Sequence, residues 1–229
     1  MKQRQLGTTG MDVSEVGFGV WSVSTGWWGQ VEERDAVSLM RSALDLAATL
    51  FDTADTHGDG YGAEVLAKAL GERRHDIVIG TKFGYDIYSG EERDGHKERK
   101  QNFSPEFIRY ACEQSLRRLK TDYIDLYQIH RFDPFAPMEE TLSAMDQLVR
   151  QGKVRYIGAS SGPAWKMAQA LALSDAHDWP RFVTMQNHYT VVYRAEEREM
   201  NPLCEAEGVG LIPWSPLTRG LLPGGRKAL

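Results

Sequence analysis

The feature that most restricts this chain is a regular alternation of hydrophobic period. Seven short apolar runs rich in β-branched and aromatic residues, at 16–20, 50–54, 77–83, 124–129, 154–159, 182–186 and 209–214, alternate with stretches whose apolar residues recur at helical spacing. Their starts lie 27 to 47 residues apart, which leaves room for a strand, a crossover helix and two loops, as parallel strands require. In one intervening stretch Val37, Met40, Leu44 and Ala47 share a face, and in another Ile108, Ala111, Leu116 and Leu119 do. Each stripe suits a helix laid on a sheet. Ser104, Pro105 and Glu106 spell a helix start: an N-cap, a first-turn proline and an acid against the dipole. The pattern predicts an α/β fold of the TIM-type (β/α)8 barrel kind, with an N-terminal β-hairpin over 3–13 that plugs the barrel floor. No low-complexity linker interrupts it, so residues 1–229 read as a single domain.

Composition narrows the function classes. The chain is 41% hydrophobic and 26% charged with a net charge of −5, a profile that excludes disorder and collagen-like structure. That charge, with a pI of about 5.7, argues against nucleic acid as the main partner, because phosphate binding needs a concentrated basic face. The basic cluster at 97–100 is interrupted by Glu98 and reads as a solvated loop. Cys112 and Cys204 stand far apart without metal-ligand spacing and read as reduced structural thiols. No run approaches the roughly 18 apolar residues of a membrane span, and the polar N-terminus lacks the apolar core of a signal peptide. The expectation is a cytoplasmic protein with no membrane partner.

In a parallel barrel, chemistry gathers where strands end at the C-terminal rim. Three successive run ends supply Asp52 and His57, then Lys82, then His130. A lysine inside Ile-Val-Ile-Gly-Thr-Lys-Phe must point into the barrel or stand at its mouth, and a buried ammonium is costly without an anion. Asp52 is the evident partner. Such a pair beside an acid/base group serves carbonyl chemistry, because the cation lowers the pKa of a neighbouring proton donor and favours oxyanion charge. Taken singly, Asp52 reads as a turn cap, His130 as a structural histidine and Lys82 as a side chain that snorkels to solvent. A metal-dependent hydrolase built on Asp52, Asp55, His57, Lys82 and His130 is a less favoured alternative, since 16–20 supplies no histidine pair; a non-catalytic barrel is the third. Trp21, Trp27, Trp28, Tyr85, Tyr88 and Phe132 fall near strand ends and would line a pocket for bulky apolar carbonyl compounds, or simply pack the loops.

These residues resemble the aldo-keto reductases, NADPH-dependent (β/α)8-barrel oxidoreductases that reduce aldehydes and ketones. The resemblance runs through Gly17-Phe18-Gly19-Val20-Trp21, Phe51-Asp52-Thr53-Ala54, Thr81-Lys82, Asp122-Tyr123-Ile124-Asp125-Leu126-Tyr127 with His130, Gly152-Lys153-Val154-Arg155-Tyr156-Ile157-Gly158, Gln186, and Trp214-Ser215-Pro216-Leu217 with Gly220-Leu221-Leu222. It implies catalytic roles for Asp52, Lys82 and His130, with a small-molecule carbonyl substrate and NADP as cofactor. It also implies cofactor contacts by Val20, Trp21 and Asp52 at the ribose and nicotinamide, Ser160, Ser161 and Gln186 at the carboxamide, Trp214 on the ring, and Ser215 and Leu217 at the pyrophosphate. No metal is implied.

The chain departs from the family pattern in several places. Where the family has its proton-donating tyrosine, five residues after the aspartate, stands His57; Tyr61, beyond Gly58-Asp59-Gly60, would reach inward only in a remodelled loop. An imidazole can donate a proton, although Lys82 nearby would favour its neutral form. Ser160-Ser161 replaces the usual Ser-Asn, and a serine keeps hydrogen-bonding capacity with less reach. Leu46-Ala47-Ala48-Thr49 lacks the glycine of a left-handed helix cap, and an alanine at positive φ costs about 1 kcal/mol, so a differently built turn is expected there. Finally, the run count stops at seven: Pro216, Pro223, Gly224 and Gly225 disfavour an eighth strand. An incomplete barrel would expose two strand edges, favour self-association and weaken the adenine-phosphate site.

Overall fold

The computed structural model describes residues 1–27, 29–90, 99–222 and 224. Trp28, Lys97, Glu98, Pro223 and Gly225 of the expectations above lie outside them. The chain opens with an antiparallel hairpin, β1 (Gln3–Gln5) and β2 (Asp12–Ser14), in the register Gln3↔Ser14. Seven parallel strands follow in sequence order: β3 (Phe18–Gly19), β4 (Leu50–Asp52), β5 (Val78–Phe83), β6 (Ile124–Ile129), β7 (Val154–Ser160), β8 (Phe182–Gln186) and β9 (Gly210–Leu211). The order never folds back, and among the described residues β3 and β9 lie at its two edges, so the sheet is a curled, open (β/α) half-barrel.

The main helices are α2 (Glu33–Asp45), α3 (Tyr61–Leu70), α4 (Pro105–Leu119), α5 (Met138–Arg150) and α6 (Ala164–His177), with a one-turn α1 (Trp21–Ser24) before them and a short α7 (Met200–Ala206) after. Their apolar stripes close the main core against the outer face of the sheet, with Met40, Leu44, Ile108, Leu116 and Leu142 among its buried members. Ser104 caps α4 as expected, its Oγ accepting from Phe107 N with Pro105 in the first turn. A second, smaller core fills the inside of the barrel floor, where Leu6 and Val13 of the hairpin meet Leu50 and Leu126. The hairpin is the floor plug, tied down by Ser14 N to Thr49 Oγ1 (2.9 Å) and Tyr156 Oη to Thr9 O (2.9 Å).

Two local expectations need correction. The Leu46–Thr49 turn is built as a left-handed cap after all: Ala47 takes φ +66°, its N donates to Leu44 O, and Ala48 N reaches back to Ala43 O. Those two bonds satisfy carbonyls at the end of α2, and they offset the roughly 1–2 kcal/mol that an alanine spends in that region. The run at 209–214 is not one strand but β9 plus a separate parallel bridge between Trp214 and His188, interrupted at Pro213, which has no N–H for a ladder. Beyond Trp214, the tail is a single 3-10 turn at Thr218–Gly220 among the described residues. Cys112 and Cys204 are free and buried, and burial pushes their thiols up to about 12 and 11. No described helix is long and apolar enough to cross a membrane.

Candidate active site

Strand register decides which side chains share the barrel interior. Asp52 pairs with Gly80, Lys82 with Gln128, Gln128 with Gly158, and Ser160 with Gln186. Side chains alternate along a strand and paired residues point the same way, so Asp52, Lys82, Gln128, Ser160 and Gln186 belong to one inner face. His130, two residues after Gln128, continues that face at the rim.

Lys82 is buried and its Nζ donates to both carboxylate oxygens of Asp52, at 2.7 and 2.6 Å, and to Thr53 O at 2.9 Å. The ammonium is thus saturated by one anion and one carbonyl, the condition under which a buried charge persists. Asp52 also accepts from Gln186 Nε2 at 2.9 Å. From there a continuous polar run crosses the rim: Ser160 Oγ donates to Gln186 O (2.9 Å), stands 3.3 Å from Ser161 Oγ, and Ser161 Oγ accepts from Trp214 Nε1 (3.4 Å). Sequence-distant residues expected at the chemistry and at the cofactor are therefore one connected network.

On the other side of Lys82 stand two imidazoles. The His57 and His130 rings meet edge-on at 6.2 Å between centroids, and Tyr85 lies edge-on to His130 at 5.2 Å. Burial, with Lys82 and Arg131 adding to it, pushes His130 down to about 3, and burial with Lys82 and then His130 holds His57 well below its ordinary value. Both are neutral at pH 7. The sequence had pointed to the lysine as the reason for a neutral His57; desolvation is the larger cause. His57 Nδ1 is buried without a hydrogen-bond partner.

This barrel rim has counterparts. The model of the Aldo/keto reductase family matches residues 15–228. The chain belongs to that family. An aldo-keto reductase of Fusarium vanettenii is 40% identical across 96% of this chain and 65% of its own length, and versiconal hemiacetal acetate reductase of Aspergillus parasiticus is 38% identical across 97% and 69%. Among solved structures, aldo-keto reductase AKR11C1 from Bacillus halodurans in its holo form superposes with a TM-score of 0.85 at 35% identity, over 100% of this chain and 70% of that one. The chain thus spans about two thirds of the length of the relatives it matches.

Within this aldo-keto reductase barrel, the position expected of the tyrosine holds His57, and no remodelled loop brings Tyr61 in its place. Tyr61 opens α3 and feels Glu33, Lys68, Glu32 and Glu64 on the outer helices. The loop before it is clamped: Gly58 sits at φ +62°, where a Cβ would come within 2.3 Å of Ser24 O. Of the residues expected to line a pocket, Trp21 and Trp27 pack against each other at 5.7 Å and Tyr85 joins His130. Tyr88 instead packs on Phe107, Tyr110 and Arg118, and Phe132 on Phe182, so these two are loop and core packing. Val20 is buried beneath the rim, its N donating to Asp52 O at 2.9 Å. Ser215 (φ +52°) and the largely exposed Leu217 stand in the tail after β9, outside the polar network.

Three further features lie at or near this rim. Thr56 Oγ1 stands 3.5 Å from His130 Nδ1, across two strand ends. Asp55 is buried with Oδ2 unpartnered, and burial raises it to about 8. His188 is sandwiched between Trp214 (4.3 Å) and Tyr193 (4.6 Å). Among the described residues, no three His, Cys, Asp or Glu side chains stand together as a metal-ligand set, and Asp52 is already committed to Lys82.

Proposed function

We propose that this chain is the carbonyl-reducing part of an NADP(H)-dependent aldo-keto reductase, acting on a small aldehyde or ketone, with its proton-donating step weakened by His57. The observation that carries this reading is the buried Lys82–Asp52 pair at the rim beside neutral His130. A neutral imidazole can donate a hydrogen bond to a carbonyl oxygen and polarise it, while Lys82 supplies positive potential as oxyanion charge develops. The network residues suit a nicotinamide: an indole plane at Trp214 for the ring, and the hydroxyls of Ser160 and Ser161 with the Gln186 amide for its carboxamide. When bound, that cofactor supplies the hydride.

His57 would stand as the acid. Because burial holds it neutral, only its small protonated fraction gives up a proton readily, and that fraction grows tenfold for each pH unit lowered while pH stays above its depressed pKa. The same depression supports a second reading, a barrel that binds the nicotinamide cofactor and turns it over slowly or not at all. Self-association through the free β3 and β9 edges and residence in the cytoplasm belong to the same proposal.

The test measures NADPH oxidation with 4-nitrobenzaldehyde for the chain and for Lys82→Met, with NADPH binding followed through quenching of Trp fluorescence. Carbonyl-dependent oxidation that Lys82→Met abolishes, and that rises from pH 8 to pH 6, supports the reductase. Quenching without oxidation selects the cofactor-binding reading, and neither signal overturns both.

A further inference from the structure

We propose that Thr56 is a positioning residue for His130: its hydroxyl donates to His130 Nδ1 and so keeps the single imidazole proton on Nε2, the nitrogen left free to donate to a carbonyl oxygen. The proposal rests on the reductase reading of this site.

The neutral form of His130 makes the question matter, since a neutral imidazole has one donor and one acceptor nitrogen and its partners choose between them. A ring whose Nδ1 carried the proton would present the lone pair of Nε2 to the lone pairs of a carbonyl and repel it. At the Nδ1 edge stands the Thr56 hydroxyl, 3.5 Å away, at the outer limit of a hydrogen bond; such contacts are often long in unliganded sites. His57 and Tyr85 meet the same ring edge-on.

Thr56 is held for this task from both sides. Its N donates to Asp55 Oδ1 at 2.7 Å, Asp55 N bonds Lys82 O at 3.2 Å, and His57 N closes the turn onto Ala54 O at 3.1 Å. His130 N in turn bonds Phe83 O at 2.8 Å. Both partners are therefore anchored on β5, the strand that carries Lys82, which fixes their relative placement.

The test reads the tautomer directly, by two-bond 1H–15N correlation of the 15N-labelled chain, with His130 assigned from the signal lost in His130→Gln. The proposal expects the Nε2–H form in the wild type and in Thr56→Ser, and a shift toward Nδ1–H in Thr56→Val. In the aldehyde assay Thr56→Val should lose about tenfold in kcat/KM with NADPH binding unchanged, and Thr56→Ser should recover it. An Nδ1–H wild type, or Nε2–H retained in Thr56→Val, overturns the proposal whatever the rates. If no form of the chain reduces the aldehyde, the reductase reading falls, and the tautomer still decides the role of Thr56.

Discussion

Strands β5 to β7 run six or seven residues, pair with their neighbours along most of that length and bury Lys82, Gln128 and Ser160, whereas β3 and β9 at the sheet's edges are two residues long. The chemistry-bearing side chains at the centre are fixed by register and by short bonds to each other. The residues expected at the pyrophosphate, Ser215 and Leu217, stand in a tail whose backbone enters the left-handed region at Ser215, Thr218 and Arg219. The candidate centre is thus set by strand register, whereas the residues expected at the pyrophosphate stand beyond a two-residue edge strand.

The largest effect should come from breaking the centre. Asp52→Ala leaves the Lys82 ammonium buried with one carbonyl, and should cost about 3–5 kcal/mol in urea unfolding. Leu217→Ala in the tail should change stability by no more than about 0.5 kcal/mol. Similar losses for the two variants would erase the contrast between centre and edge.

That contrast also states what the sequence could show. Alternating periods and polar run ends were enough to place Asp52, Lys82 and His130 on one rim, because register in a parallel sheet follows from buried strands with little freedom. Thr56 was hidden: it meets His130 across strand ends far apart in sequence, and no spacing rule encodes a hydroxyl beside a particular ring nitrogen. Asp55 was legible only as a candidate ligand, because its burial with one oxygen unpartnered depends on packing that spacing does not show. The Ala47 turn misled because a propensity was weighed without the two backbone bonds that hold it. In the tail after Trp214, glycine and proline disfavour a strand without specifying what replaces it, and the contacts expected of Ser215 and Leu217 rest on the family resemblance alone.

A second way to sharpen the comparison is pH. His57 and His130 are depressed below 6.5, so the folded state binds fewer protons there than the unfolded one, and their stabilisation is present above 6.5 and lost as pH falls. Asp55 is raised from 3.8 to about 8, so its contribution is lost as pH rises between those values. Just below pH 6.5 the two histidines outweigh the one carboxyl; above 6.5 their contribution fades and the carboxyl comes to dominate up to about 8. Stability from this cluster should therefore peak near pH 6.5, with a fall on the alkaline side of at most about 1.4 kcal/mol per pH unit. Asp55→Asn should flatten that alkaline fall in urea midpoints at pH 6.5, 7.25 and 8. An undiminished fall in the variant would show that Asp55 is not its source.

The smallest effect lies away from the rim. Ala47→Gly should stabilise the α2–β4 turn by about 1 kcal/mol, seen as a higher urea midpoint with unchanged slope. A destabilised variant would mean that the turn's two backbone bonds already remove the strain.

In the proposed reductase the Asp52–Lys82–His130 machinery is in place and His57 limits it. The most direct measurement is single-turnover oxidation of bound NADPH by 4-nitrobenzaldehyde at pH 7, in the wild type and in His57→Tyr side by side, with cofactor binding verified in both. The account predicts that His57→Tyr is faster by at least tenfold, the low end of the contribution of a well-placed general acid being about a hundredfold. Equal rates in two proteins that both hold NADPH would contradict it.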